Sequence, residues 1–433
     1  MGFRYGITIA KVFIIVLLNF IMVSVNAQTA GAIKKEINDI NRRIVTAPYK
    51  NGQGMLVSNK AMSMFLSNKL SYYLSENTDL SLYKNYVTLN TAEGNVNITH
   101  NFHQPVDRDD YIHSFTMMGA RLNIANTFAA KYANKYFDNQ ISFMLQKTWM
   151  ARPGTKFKDQ RIAMDASRSI IVQQLGEEIA KEAGDFELSL NLIKAEEVPG
   201  QDLNIVKQKL TQEFYAKLRE TYLQKFSEAQ SNQLIHAEGF NTVTSNWTSL
   251  AIYIPIIRQR FEVSPAANQH TTPRYNYPLE LSITHTRFVE SIKYGKLIMS
   301  ANVKGKYNNS VQSGDLLQAD INGSAPINIG NSFIGDYQNF LTPVIAGKLV
   351  YFPPTSHFGI SYRVEKNFGS YHALNSILGV PIVLIDKKDV PVVNFEVQLL
   401  YSDMNNTMKD KPMPYNKIAV GFTVGIPFSK VVL

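Results

Sequence analysis

The chain has 433 residues, a formal net charge of +9 and no cysteine. This length is sufficient for one large β domain or for two domains. The basic residues are scattered and form no stripe, so nucleic-acid binding is not expected, and the absence of cysteine excludes a disulfide-stabilised scaffold.

Residues 1–27 have the features of a secretory signal peptide. Arg4 and Lys11 supply positive charge, the run from Val12 to Val23 is apolar, and Val25-Asn26-Ala27 offers small residues for cleavage. We therefore expect export, with Gln28 as the first mature residue. A retained anchor is the alternative, although the run is short for a spanning helix. An exported chain of this size without cysteine is typical of a bacterial envelope protein.

Residues 28–83 are predicted to form an N-terminal helical segment. Ile33, Ile37 and Ile40 recur at helical spacing among charged residues, and the stretch from Ala61 to Leu74 is also apolar at helical spacing. Helices this short are marginal alone, so we expect both to pack on the rest of the protein.

Residues 84–155 are predicted to contain the first β-strands. Two short runs, Tyr86 to Asn90 and Asn95 to Phe102, flank a turn and indicate a hairpin. The stretches from Tyr111 to Ala125 and from Gln140 to Met150 are also predicted to be extended, and in the latter apolar and polar side chains alternate.

Residues 156–240 interrupt this pattern and are predicted to be an amphipathic helical insertion. An apolar stripe runs from Leu203 to Tyr222 among lysines, arginines and glutamates, and Ile171 to Ile179 has a similar face. Between these stretches, Phe186 to Leu192 alternates strictly between apolar and polar residues. That piece is either a short strand or part of a helix, and the sequence leaves both possibilities open.

Residues 241–433 carry the strongest β pattern. In the segment from Ile418 to Phe428 the apolar residues alternate with alanine, glycine and threonine, and the segment around Phe395 to Tyr401 behaves in the same way. About ten residues is what a tilted strand needs to cross a bilayer. The connections between segments are by turns long and short, and Lys366 to Leu378 is predicted to be one of the long ones.

These features resemble the outer-membrane β-barrel proteins of Gram-negative bacteria. The resemblance is carried by the signal ending in Ala27, by the alternating strands, and by a C-terminal strand with Gly421, Phe422, Gly425 and Phe428. It covers residues 84–150 and 245–430 at the level of the class. It implies a mainly β chain folded as an antiparallel transmembrane β-barrel of about 12 strands in the cell outer membrane, in contact with outer-membrane lipid.

The expected role is that of a channel or of a scaffold in an envelope assembly. A channel would use inward-facing charges to select solutes, and the candidates for these lumen positions are Glu280, Lys304, Lys306, Arg363 and Glu396. A scaffold would dock an envelope partner on the helical insertion through Leu210, Phe214 and Leu218. The alternative is a soluble exported β-sandwich that acts as a binding protein or an adhesin.

Catalysis is not expected from this sequence. It has no G-x-S-x-G elbow, no P-loop and no dinucleotide-binding fingerprint. We therefore predict that the protein is not an enzyme and that it needs neither a metal nor another cofactor.

Overall fold

The computed structural model describes residues 59–70, 84–102, 114–123, 140–193, 202–318 and 332–430, with short gaps inside these ranges. The predicted signal peptide at residues 1–27 and most of the predicted N-terminal segment at residues 28–83 lie outside the described residues.

Among the described residues the secondary structure consists of three helices and seventeen strands. The helices are α1 (Asn59–Leu70), α2 (Arg161–Leu192) and α3 (Leu203–His236). The strands are β1 (Lys84–Asn90), β2 (Asn95–Phe102), β3 (Ser114–Asn123), β4 (Gln140–Met150), β5 (Gly154–Phe157), β6 (Phe240–Pro255), β7 (Gln259–Ser264), β8 (Thr272–Asn276), β9 (Glu280–Ser291), β10 (Gly295–Asn309), β11 (Leu317–Gln318), β12 (Ser332–Ile334), β13 (Asn339–Phe352), β14 (Ile360–Asn367), β15 (Leu374–Ile385), β16 (Pro391–Tyr401) and β17 (Ile418–Lys430).

A closed antiparallel barrel forms the body of the protein. Its strand order is β4-β3-β2-β1-β17-β16-β15-β14-β13-β10-β9-β6, and a further pairing of β4 with β6 closes the ring. The first and last strands of the chain also pair, with Asn90 opposite Thr423. The prediction of an antiparallel barrel of about 12 strands is confirmed, and two stacked layers are excluded because closure leaves no free sheet edge.

The connections divide the barrel into two different ends. The end that we call the short-turn end has the β9–β10, β13–β14 and β15–β16 connections, and the end that we call the loop end has the β6–β9, β10–β13 and β16–β17 connections. The predicted long connection from Lys366 to Leu378 is wrong, because β14 continues to Asn367 and β15 begins at Leu374. The long–short rhythm also fails among the first strands, where the short β1–β2 connection is at the loop end.

Two of the long connections at the loop end share a small second sheet. Its strand order is β11-β12-β7-β8, so strands from the β6–β9 connection pair with strands from the β10–β13 connection. Phe261, Val263 and Leu316 form its buried cluster, and Phe333 and Tyr337 pack against them. This shared core gives the two connections a defined structure.

The helical insertion lies between β4 and β6, so it leaves and re-enters the barrel wall at the short-turn end. Its residues Val172–Leu223 form a compact unit separate from the unit that contains the barrel. The alternating stretch from Phe186 to Leu192 is the last part of α2, so the strand alternative is wrong. Among the described residues, no helix combines the length and the hydrophobicity that a bilayer-spanning helix requires.

Candidate functional site: the barrel lumen

The two faces of the barrel wall differ sharply in polarity. In β9 the side chains of Leu281 and Ile283 are exposed, whereas those of Ser282, Thr284 and Thr286 are buried. A strand directs successive side chains to opposite faces, so Leu281 and Ile283 point out of the barrel, whereas Ser282, Thr284 and Thr286 point into it.

The same arrangement recurs around the wall. Exposed apolar side chains of the outer face include Ile98, Leu250, Ile254, Val303, Ile345, Leu349, Leu378, Val380, Val397, Leu399, Val420, Phe422 and Ile426. Buried polar side chains of the inner face include Asn97, Thr99, Ser142, Gln146, Ser249, Ser361, Asn394, Gln398 and Thr423. The protein therefore turns its apolar surface outward.

An ion-pair network lies on the inner face of β10 and β14. The Nζ of Lys304 donates to Oε2 of Glu365 at 3.0 Å, and Nη2 of Arg363 donates to the same oxygen at 2.9 Å. The side chains of Lys304 and Glu365 are only 16% and 17% exposed. Because β10 and β14 both pair with β13, the two strands place these side chains across one intervening strand.

Arg121 links this network to the opposite part of the wall. Its Nη1 lies 3.7 Å from Oε2 of Glu280, and its Nε donates to Oδ1 of Asn97 at 3.1 Å. Its guanidinium carbon also lies 3.7 Å from the ring centre of Tyr253, a cation–π geometry. Lys306 is paired in register with Glu280, which completes the set. We call Arg121, Glu280, Lys304, Lys306, Arg363 and Glu365 the lumenal charged group.

The structure therefore places four of the five predicted lumen residues, Glu280, Lys304, Lys306 and Arg363, in this group. Sequence reasoning missed Arg121 as a site residue, because its strand is distant in sequence from those of its partners. It also missed Glu365, although this residue alternates in the same pattern as Arg363.

The fifth predicted residue, Glu396, also faces inward but makes a different contact. Its carboxylate accepts a hydrogen bond from the Ser361 hydroxyl, and its side chain is buried. Gly379 lies on β15 between these two residues, and a Cβ atom there would collide with both side chains. The glycine thus makes room for Glu396 to reach across a neighbouring strand.

Near the short-turn end the inner face also carries large apolar side chains. We call the inward-facing residues Tyr86, Phe115, Met150, Trp247, Phe288 and Phe352 the apolar lumen belt. None of them is more than 6% exposed. They come from β1, β3, β4, β6, β9 and β13, six of the twelve strands of the ring, so the belt forms an arc that leaves out β14 to β17.

The predicted docking residues on α3 have different environments. Leu218 is buried with Ala183 and Tyr215, and Phe214 packs against this cluster and stacks on Phe186 with ring centres 3.8 Å apart. Leu210 is exposed. Of the three, Leu210 alone presents an exposed side chain, because the others form the contact between α2 and α3.

The same contact perturbs a tyrosine. The hydroxyl of Tyr215 donates to Oε1 of Glu187 at 3.0 Å. Burial, followed by this hydrogen bond and the negative charge of Glu187, raises the pKa of Tyr215. Burial also raises the pKa of Tyr222 to about 12. Both phenols thus remain neutral at physiological pH.

The outer face has a few polar residues among the apolar ones. The Nζ of Lys147 donates to Oγ1 of Thr116 at 3.1 Å on the neighbouring strand. His285 and Arg287 are exposed on β9, and Nδ1 of His285 lies 3.0 Å from Oγ1 of Thr248. These residues belong to β3, β4, β6 and β9, so they interrupt the apolar surface on one side of the barrel.

No protein-family model and no curated protein sequence matches the chain.

Proposed function

We propose that this protein is an outer-membrane β-barrel channel that favours small anionic solutes. The observation that carries the proposal is the polarity of the closed barrel, whose exposed face is largely apolar and whose enclosed face carries the lumenal charged group and many other buried polar side chains.

This polarity is the reverse of that of a water-soluble sheet protein, which buries its apolar face. Contiguous apolar patches larger than several hundred Å² are rare on soluble monomers. Membrane barrels have an apolar band facing lipid and a polar interior. The exposed side chains of Ile283, Val303 and Val420 fit contact with acyl chains, because lipid removes the cost of exposing them to water.

The lumenal charged group supplies the selectivity. It contains more cations than carboxylates, since Arg121, Lys304, Lys306 and Arg363 face Glu280 and Glu365. Glu365 is engaged by Lys304 and Arg363. Among the described residues no carboxylate lies within ion-pair distance of Lys306, which stands opposite Glu280 in register. Fixed positive charge on a pore wall favours anions.

Membrane insertion is tested by fractionation of cells that express the full chain. We expect the protein to stay in outer membranes after a carbonate wash and to migrate faster on a gel before heating than after it. Release into the soluble fraction by carbonate contradicts the proposal.

Ion selectivity is tested with the purified protein in planar bilayers under a KCl gradient. We expect open events whose reversal potential indicates preference for chloride, and we expect Lys306→Gln to reduce that preference. Arg287→Gln is the matched control, because it removes the same charge from the outer face. Equal effects of the two substitutions contradict a role for the lumen charge, and a protein that never conducts contradicts the channel.

A scaffold is the second candidate, and exposed apolar residues on the helices favour it. Leu188, Leu192 and Ile205 are more than half exposed, and Leu210 is also exposed. These residues offer an apolar surface to an envelope protein. A partner that co-purifies with the wild type and is lost in Leu188→Ser/Leu192→Ser, together with silence in bilayers, supports the scaffold over the channel.

A further inference from the structure

Helix α1 is buried over more than half of its circumference. Ala61, Met62, Ser63, Phe65, Leu66 and Leu70 are each at most 6% exposed. With 3.6 residues per turn these positions span an arc of about 200°, and Met64 on the remaining side is partly buried. A surface helix typically buries a stripe about 100° wide, so an arc of this width indicates that α1 has neighbours on more than one side.

The lumen of the barrel is an enclosed space of suitable size for α1. Helix α1 belongs to the same compact unit as the barrel. The outer face of the barrel keeps large apolar side chains exposed, so it provides no general enclosure. A helix is about 10 Å wide with its side chains, and the interior of a barrel widens with strand number, so that about eight strands are just filled by side chains. A ring of twelve strands therefore has room for a helix.

The burial of the apolar lumen belt supports such an occupant. In an open, water-filled lumen its six aromatic and methionine side chains would be in contact with water. Instead Phe288 is 0% exposed and both Trp247 and Phe352 are 1% exposed. Other parts of the protein therefore cover them, because side chains that line a water-filled space would be accessible to solvent. Helix α1 presents Met62, Phe65, Leu66 and Leu70, which match the belt in chemistry.

We propose that α1 occupies the lumen at the short-turn end and packs against the apolar lumen belt as a plug. This inference rests on the proposed channel, for which it supplies the closed state. The lumenal charged group lies nearer the loop end, because Lys306 and Glu280 stand where β10 ends and β9 begins. In the closed state of the channel, α1 blocks the lumen at the short-turn end, and the charged part of the lumen opens toward the loop end. Conduction therefore requires α1 to move.

The plug is tested by cross-linking, which suits this chain because it contains no native cysteine. The full-length variant Phe65→Cys/Phe288→Cys is compared with Phe65→Cys/Val289→Cys. Position 288 faces the lumen and position 289 faces outward. Both variants are treated with a flexible bismaleimide after purification in folded form, judged by heat-modifiable migration.

We expect an intramolecular cross-link, identified by peptide mass spectrometry, at position 288 and its loss at position 289. The same contrast is expected with Trp247→Cys against Thr248→Cys. Folded protein that cross-links at neither lumen position overturns the plug and leaves the channel proposal intact. Equal cross-linking at inward and outward positions also overturns it.

A second measurement separates the plug from the channel. A disulfide formed in Phe65→Cys/Phe288→Cys should abolish openings in planar bilayers, and reduction should restore them. Phe65→Asp should increase the open probability, because a charged side chain disfavours packing on the belt. Lumen cross-links with no conductance in any variant support the helix position and contradict the channel. Openings that are unaffected by a complete disulfide overturn the plug.

Discussion

The outer and inner faces of the barrel wall are made by the same strands, yet their polarity differs from that of a soluble sheet. Ile283 and Thr284 are neighbours in β9, and the apolar side chain is the exposed one. In a soluble sheet the exposed residue of such a pair is the polar one. The difference shows that alternation defines two faces, whereas the surroundings of the strand decide which face is buried.

The inner face is itself divided along the barrel axis. The apolar lumen belt near the short-turn end has the composition of a packed core, and the lumenal charged group near the loop end has that of a water-facing or ligand-facing wall. Substitutions that change the polarity or the charge of one surface at a time can test separately what each surface contacts.

The largest effect is expected from removing a belt side chain. Phe288→Ala should lower the free energy of unfolding by about 3–5 kcal/mol, the usual cost of a cavity left by a buried phenylalanine. Urea titration of the folded protein in lipid vesicles, followed by tryptophan fluorescence, measures the change, because Trp247 lies in the belt. Val289→Ala, on the outer face of the same strand, is the control and should cost less. Equal losses would mean that the belt is not packed.

The second-largest effect is expected from a charge placed on the outer face. Ile283→Arg is expected to lower the free energy of unfolding in a bilayer by about 2–4 kcal/mol near the midplane, because arginine is costly on a lipid-facing wall. Ile283→Leu keeps an apolar residue there and should be nearly neutral. The same urea titration reports both variants. Full tolerance of the arginine would indicate that this face is in water, against the membrane assignment.

Loss of the central carboxylate of the charged group should have a smaller effect. Glu365→Gln leaves Lys304 and Arg363 without their shared acceptor, and we expect a loss of about 1.5–3 kcal/mol, the range for hydrogen bonds to charged groups. It should also shift the reversal potential further toward chloride.

The matched control for Glu365→Gln is Glu262→Gln in the sheet at the loop end. Glu262 is paired with Arg260, whose side chain is 62% exposed. Exposed pairs contribute about 0–1 kcal/mol. If both glutamines cost the same, the lumenal network is as solvated as the surface, and its role in selectivity is weakened.

The sequence was informative about individual strands and much less so about what they enclose. The alternation in β16 and β17 predicts their faces correctly, because burial on one side leaves a period of two. The pairing of β1 with β17 joins residues more than three hundred positions apart, and no local pattern encodes such a contact. Arg121 was missed for the same reason, because its partner Glu280 is distant in sequence. Phe186 to Leu192 alternates like a strand, yet it continues a long helix whose Phe186 stacks on Phe214, so tertiary packing overrides the local pattern.

The smallest effect is expected at a polar residue of the mostly apolar outer face. Lys147 lies between the outward-facing residues Leu145 and Trp149, and its Nζ donates to Thr116. Lys147→Leu removes a charge from the outer face. If that face contacts lipid as proposed, the cost of the charge is small when the flexible lysine reaches toward the membrane surface. The substitution also removes a hydrogen bond worth about 0.5–1.5 kcal/mol. These terms oppose each other, so we expect a change in unfolding free energy in vesicles within about 1 kcal/mol.

Thr116→Val is the control for Lys147→Leu, because it removes the hydrogen bond and keeps the charge. It should therefore be the more destabilising of the two substitutions. A large loss of stability in Lys147→Leu alone would show that the lysine charge is itself used at the outer wall. The polar residues on this side of the barrel would then be part of a contact with an anionic group. This part of the outer face would bind that group in addition to the lipid contact proposed for the whole outer face.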